Sequence, residues 1–253
     1  MELISSAFLG FIQGLTEFLP ISSSGHIELF SNILDLSKSN ITFDIVVHLA
    51  SLLAILIFFK FNYSESIEND FEINKNKKII ALSFIPIGVV GLFFRDFLNN
   101  ESRELSIMGF SFIFSGIIIC MHFLKKLNLS FLIIIIIASL FQSFAALPGV
   151  SRSGIIIGIS VFLGLSLKRS IILSFLMSIP LILISSFYEI INLFLNGASQ
   201  LDAFYLFVAF TLSFLASYIG IKIMILLSTF IQLRIFGLYN IILGVLLLLF
   251  SIF

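Results

Sequence analysis

Residues 235–253 run Ile-Phe-Gly-Leu-Tyr-Asn-Ile-Ile-Leu-Gly-Val-Leu-Leu-Leu-Leu-Phe-Ser-Ile-Phe without one charged side chain. Five further apolar stretches, each with at most one charged side chain, lie at 43–59, 79–94, 106–124, 170–195 and 203–227. Runs of this length fit the ~30 Å hydrocarbon layer of a bilayer. There every backbone polar group must be paired within the protein, and at these lengths that means helices. The expected fold class is an all-α integral membrane protein with six transmembrane helices. Of the 253 residues, 59% are hydrophobic and 11% charged, with a mean hydropathy of +1.19. A soluble domain carries about a quarter charged residues. Net charge is zero, which excludes a global attraction to nucleic acid. The single cysteine, Cys120, rules out an internal disulfide and a cysteine zinc cluster. It reads as a small packed hydrophobe. Glu2 is the only early charge, so no cleaved signal peptide is expected.

Two polar stretches interrupt the apolar sequence. The first runs from Gln13 through Glu17, Pro20 and Ser22-Ser23-Ser24-Gly25 to His26; the second runs from Gln142 through Pro148 and Gly149 to Ser151-Arg152-Ser153-Gly154. The apolar arms beside each are too short to cross a bilayer with such a break between them. Each stretch therefore reads as the tip of a re-entrant helical hairpin, tolerated at membrane depth where protein or a wet cavity covers it. Residues 60–78 read as a polar loop, and Pro86 and Gly88 as a kink in the span over 79–94. Glu189 and Asp202 are expected near membrane–water boundaries.

The halves align at an offset of 129 residues. Gln13 falls on Gln142, Ser22 to Gly25 on Ser151 to Gly154, and Leu34, Leu36 and Ser37 on Leu163, Leu165 and Ser166. The chain thus reads as one membrane domain with pseudo-repeats at about 1–128 and 129–253, each a hairpin plus three spans. An odd number of spans inverts the second half, giving an inverted-topology repeat whose broken elements meet near the midplane. One side of this topology holds Lys60, Lys75, Lys77, Lys78, Lys125, Lys126, Lys168, Arg169, Lys222 and Arg234; the other holds Lys38, Arg95 and Arg103. The first side is expected to be cytoplasmic. Both termini and the mouth of the first hairpin then face outward from a multi-pass protein of the cell (inner) membrane.

Arg152 is the one Lys or Arg expected deep in the membrane, where it costs ~2.5–3.5 kcal/mol on insertion scales. It needs an anion, either Glu17 or a phosphate that its guanidinium fork would grip bidentately. Gly149 and Gly154 permit close backbone approach, Ser151 and Ser153 offer hydroxyls, and a broken helix offers free N–H groups. The plainer reading is a buried Arg–Glu pair joining the halves. Gln13 lies one turn before Glu17 on the same face. In a low-dielectric site Glu17 is a usable general base, and a serine nucleophile needs one. His26 would protonate a leaving oxygen or hold a phosphoryl oxygen. Plainer roles are backbone capping for Ser22, Ser23 and Ser24, and a satisfied interior position for His26. Asp44 and His48, a turn apart, read as supporting or interfacial groups. With one carboxylate in the site, a protein-only metal cage is not expected. A Mg²⁺ or Ca²⁺ bridged by a diphosphate would still be accommodated.

The two motifs resemble those of the bacitracin-resistance family of undecaprenyl-diphosphate phosphatases. The family's Glu/Gln-x-x-x-Glu element, running into Leu-Pro-x-Ser-Ser-(Ser/Thr)-Gly-His, is Gln13 to His26 here. Its Pro-Gly-x-Ser-Arg-Ser-Gly signature is Pro148 to Gly154, and Phe43 to Ala54 resembles its segment after the first hairpin. The resemblance implies two re-entrant hairpins and six spans. It also implies a membrane hydrolase that removes the terminal phosphate of undecaprenyl diphosphate, returning the monophosphate carrier for cell-wall glycans. By motif position it implies Glu17, Ser23, His26 and Arg152 as the catalytic set, with Gln13, Ser22, Ser24, Gly25, Gly149, Ser151, Ser153 and Gly154 binding substrate. The preferred scheme has Ser23 attack phosphorus, Glu17 take its proton, Arg152 hold the equatorial oxygens and His26 assist. Rival schemes use water or His26 as nucleophile. The resemblance leaves room for a homodimer. Three positions depart from the family pattern: Gln13 stands for the commoner Glu, Ile156 for an expected Thr, and Glu28 for an apolar residue.

Two other functions fit parts of the sequence. A transporter or flippase of a polyprenyl-phosphate lipid would keep Arg152 without needing Ser23. An intramembrane serine protease would pair a serine with a histidine on another span and have no use for Arg152.

Overall fold

The computed structural model describes residues 3–34, 41–62, 70–99, 104–121, 127–196, 202–228 and 230–252. Leu36, Ser37, Lys38, Arg103, Lys125 and Lys126, on which parts of the repeat and charge arguments fell, lie outside these. The described residues form helices and no strand. In chain order they are α1 (Leu3–Glu17), α2 (Ser23–Ile33), α3 (Ile41–Asn62), α4 (Phe71–Ala81), α5 (Ile85–Phe93), α6 (Arg95–Asn99) and α7 (Leu105–Cys120). There follow α8 (Phe131–Gln142) with a 3₁₀ turn (Ser143–Ala146), α9 (Arg152–Leu163), α10 (Leu167–Asn196), α11 (Ala203–Leu226) and α12 (Phe230–Phe250).

Among the described residues five segments are long and apolar enough to cross a bilayer: Ile41–Asn62, Phe71–Phe93, Leu167–Leu195, Ala203–Leu226 and Leu233–Phe250. The chain is an integral, multi-pass membrane protein. The stretch expected as a sixth span forms the 16-residue α7, about 24 Å long at 1.5 Å per residue. The outward surface is apolar, with Phe110, Phe187, Phe194, Leu226 and Ile242 exposed, while Ser51, Ser115, Ser213, Ser217 and Asn240 are buried. A bilayer solvent favours that inversion, because lipid accepts the apolar face and polar groups must pair inside.

Two helix pairs are held by close backbone approach. In α1, a Cβ on Gly14 would stand 2.2 Å from the Ser213 carbonyl oxygen of α11. In α7, a Cβ on Gly116 would stand 2.6 Å from the Gly237 carbonyl oxygen of α12. Small residues let such helices touch where no hydrophobic force drives them together. Serines link α3 to α11: Ser213 Oγ donates to the Val47 carbonyl (3.0 Å) and Ser217 Oγ to Ser51 Oγ (2.8 Å). The main apolar core lies between these pairs. Phe18, directly after Glu17, is fully buried there, edge-on to Phe175 of α10 at 5.4 Å between centroids.

Two local expectations change. Residues 71–78 are helical rather than loop. Asp70 caps α4 by accepting from Glu72 N (3.0 Å) and Ile73 N (3.1 Å), and it also pairs with Arg169 of α10. The span expected over 79–94 breaks at Leu82–Phe84, before the proline rather than at Gly88. Pro86 sits in the first turn of α5, where its missing N–H costs nothing, and its ring excludes helix continuing from four residues earlier. The break frees the Ser83 carbonyl, which accepts from Gln142 Nε2 at 3.1 Å.

Candidate active site

Glu17 ends α1 and is almost fully buried. Its carboxylate accepts from donors in three directions. Gln13 Nε2, one turn earlier, donates to Oε2 at 2.8 Å, as does Ser23 Oγ at 2.8 Å, and Arg152 Nη2 donates to Oε1 at 2.9 Å. Side-chain exposures of 12% for Arg152 and 6% for Glu17 make this a buried ion pair. It crosses between the two polar stretches, so both plain and chemical readings of Arg152 meet in one contact. A guanidinium has five N–H donors. Among the described residues only Nη2 has a partner, which leaves the rest for an anion.

Ser23 and Arg152 occupy the first position of α2 and α9, respectively. Each helix is capped by the preceding serine: Ser22 Oγ accepts from Gly25 N at 3.3 Å, and Ser151 Oγ from Gly154 N at 3.1 Å. Capping is thus the observed work of Ser22, as the plainer reading had it, and also of Ser151, which the sequence offered as a hydroxyl for an anion. Ser153 Oγ donates to the Leu19 carbonyl at 2.9 Å and ties one stretch to the other. Ser24 is exposed. The glycines serve packing between the stretches. A Cβ on Gly25 would stand 2.9 Å from both Cα and N of Gly149, whose φ of +94° suits glycine alone.

A cavity of about 760 Å³ opens over this cluster. Glu17, Ser22, Ser23, Ser24, Ser151, Arg152 and Ser153 form its polar end. α5, with Ile85, Val89 and Leu92, and α10, with Leu181, Ile184 and Tyr188, form an apolar flank. No residue of α5 is buried. The first turns of α2 and α9 both border the cavity, and their leading amides carry the positive end of the helix dipole.

The sequence profile of the family described as Bacitracin resistance protein BacA matches residues 6–246. The chain belongs to the BacA family. It is similar to the "Undecaprenyl-diphosphatase" of Halothermothrix orenii, 30% identical over 97% of this chain and 96% of that one. The protein of the same name from Vesicomyosocius okutanii is 33% identical over 97% and 98%, and that from Methanococcus maripaludis (strain C7) 35% over 91% and 93%.

In this BacA-family chain His26 and His48 exchange expected places. His26 is absent from the cavity wall. Its Nδ1–H donates to the Ser22 carbonyl at 2.7 Å, and Nε2 accepts from the Tyr239 hydroxyl of α12 at 2.6 Å. Phe112 packs edge-on to its ring. Both nitrogens are engaged, as in the satisfied interior position. His48, read from sequence as supporting or interfacial, lines the cavity, with Nε2 3.2 Å from Gln13 Nε2. Glu189 lines it too. The available signal was an ionisable residue inside a span, which is a functional candidate by default. Ile156 is fully buried among apolar side chains and Glu28 is buried, so neither departure from the family pattern touches the cavity wall.

Proposed function

We propose that the protein is a phosphatase that removes the terminal phosphate of undecaprenyl diphosphate, releasing inorganic phosphate and the monophosphate lipid. That product is the carrier for cell-wall glycan synthesis, and its return underlies bacitracin resistance. The reading rests chiefly on one bonded set at the cavity wall: a serine hydroxyl on a carboxylate whose other oxygen is held by an arginine. Family membership and the relatives' names support the same chemistry.

In the first step Ser23 Oγ attacks the terminal phosphorus while its proton passes to Glu17, 2.8 Å away. The bond from phosphorus to the bridging oxygen breaks, and the polyprenyl monophosphate leaves with that electron pair. Arg152 and the leading amides of α2 and α9 hold the equatorial oxygens, where positioning and charge stabilisation supply most of the catalysis. Glu17 passes the Ser23 proton to the departing monophosphate oxygen. In the second step water attacks phosphoserine, its proton passes through Glu17 to Ser23 Oγ as the bond from phosphorus to Oγ breaks, and inorganic phosphate leaves with Ser23 restored. His26 holds the start of α2 rather than moving protons. Among the described residues no group of three His, Cys, Asp or Glu is arranged to hold a metal ion. A Mg²⁺ or Ca²⁺ would therefore rely on the diphosphate oxygens. Every proposed group comes from one chain, so the chemistry needs no homodimer.

The finer architecture belongs to the same reading. α1 and α2, and α8 and α9, are re-entrant hairpins: their 15, 11, 12 and 12 residues reach only ~16–22 Å at 1.5 Å per residue. Leu127 N and Leu129 N donate to the carbonyls of Phe162 and Leu163, which supports the second pair returning to its own side. α2 and α9 begin 129 residues apart, which favours one domain built as an inverted repeat over about 1–128 and 129–253. Both termini then face outward from the inner membrane. A cysteine appended after Phe253 would react with an impermeant maleimide on intact cells, and labelling only after lysis would reverse the orientation.

The test is phosphate release from long-chain polyprenyl diphosphate by purified protein in detergent, with and without Mg²⁺ or Ca²⁺. Wild-type release that collapses in Ser23→Ala and in Arg152→Ala supports the scheme. Retained release in Ser23→Ala would transfer the attack to water. Lipid binding by wild type with no release would favour the transporter.

A further inference from the structure

His48 faces the cavity but no step above uses it. Its Nδ1 lies 2.7 Å from the Asp44 carbonyl oxygen, one turn earlier. A carbonyl only accepts, so Nδ1 carries a proton. Nε2 lies 3.2 Å from Gln13 Nε2, the same amide nitrogen that donates to Glu17 Oε2 at 2.8 Å. A primary amide has two N–H bonds. One goes to Glu17, and the other fits His48 only while Nε2 is an acceptor, that is, while the ring is neutral.

We propose that His48 is a positioning residue for the phosphatase reaction: its neutral ring holds the Gln13 amide with both N–H bonds committed, so that Gln13 steadies the Glu17 oxygen that receives the Ser23 proton. The inference rests on the phosphatase reading. The amide works as a one-way strut. Turned over, it would put its oxygen against Glu17 Oε2, lone pair to lone pair. Protonation of His48 removes the acceptor and favours that turn. The charged groups facing His48 are Glu17, Glu189 and Asp44, with Arg152 beyond Glu17. The donor–acceptor order therefore fixes what residue 13 requires of residue 48. An amide at 13 needs an acceptor, whereas a carboxylate at 13, beside Glu17, needs a donor.

The experiment measures kcat, KM and the pH profile of phosphate release for wild type, His48→Leu, His48→Gln and Gln13→Glu. A circular-dichroism melt of each establishes folding. His48→Leu is expected to lower kcat about tenfold with little change in KM, the scale of one misdirected hydrogen bond. His48→Gln keeps an acceptor oxygen, so its kcat returns to within about threefold and the part of the acid-side decline due to His48 disappears, leaving that of the Glu17 base. Gln13→Glu is expected to invert the profile, active where His48 is protonated and fading as pH rises. His48→Leu at wild-type kcat would overturn the proposal. So would equal loss in folded His48→Gln and His48→Leu, or a Gln13→Glu profile parallel to wild type. No release from the wild type would sink the phosphatase reading and this inference together, whereas normal wild-type release with any of those variant outcomes sinks only the inference.

Discussion

Arg152 and Glu17 allow stability and chemistry to be separated in one cycle. The pair is 2.9 Å long with side chains 12% and 6% exposed. Removing one partner from an enclosed pair costs about 3–5 kcal/mol, because the other charge stays buried without compensation. Here the cavity lets water reach the guanidinium, and Gln13 and Ser23 still donate to Glu17. Both effects move the cost toward about 3 kcal/mol. At about 2–4 °C per kcal/mol for a chain of this size, Glu17→Gln or Arg152→Met should melt about 6–12 °C below wild type. The double variant carries no buried charge and should recover at least half of that fall. Activity behaves otherwise: all three variants lose at least ~100-fold in kcat, as expected for removal of a general base or of an oxyanion donor. The assay is a circular-dichroism melt at 222 nm beside phosphate release at saturating substrate. A double variant that melts at the sum of the two single losses would refute the pairing. Glu17→Gln turning over within tenfold of wild type would refute the base.

Two further perturbations probe the frame around the site. Gly14→Ala would press a methyl to 2.2 Å from the Ser213 carbonyl oxygen. Overpacking of that kind costs about 1–3 kcal/mol and displaces the turn that carries Glu17. A lower melting temperature with reduced kcat is expected, while Gly88→Ala, with no atom within 4 Å, should melt at or above wild type; equal melts would refute the close α1–α11 contact. Tyr239→Phe removes the donor to His26 Nε2 and should cost about 1 kcal/mol of stability with kcat within about threefold. A hundredfold loss of kcat at unchanged stability would return His26 to the chemistry.

The spans and the two polar stretches are legible in the sequence because bilayer length and backbone pairing leave few alternatives. The pairing of Glu17 with Gln13, four residues apart, follows from helical spacing, and the meeting of Glu17 with Arg152 from the cost of a buried cation. What the sequence withholds depends on tertiary contact. Residues 71–78 look like loop because their charges suggest water, yet Asp70 caps them and Arg169 of α10 fastens the cap. The fate of His26 turns on Tyr239, more than 200 residues away. The place of His48 turns on the rotation of α3 about its axis, which an almost uniformly apolar helix does not disclose.

The proposed repeat explains why a site so asymmetric sits on so regular a frame. Corresponding positions open α2 and α9, yet one holds the hydroxyl of Ser23 and the other the guanidinium of Arg152. Ala146 stands where the first half has Glu17, and the fully buried Met177 where it has His48. In that alignment the acid and the imidazole come from the first stretch of the chain and the cation from the second. Packing diverges in the same sense. α1 is locked to α11 through Gly10, Gly14 and Gly220, and the turn that ends it carries Glu17 to 2.8 Å from Gln13 and Ser23 and 2.9 Å from Arg152. The equivalent contact of α8 is with the broken α4–α5 segment, where a single amide to the Ser83 carbonyl bridges the gap and α5 buries no residue. A rigid wall and a loose wall serve different needs. Charge and nucleophile must be fixed for in-line transfer, whereas a lipid whose head reacts and whose tail stays in the bilayer needs one side thin enough to admit it. Proline at 86 creates that difference by breaking the helix that would otherwise mirror α11.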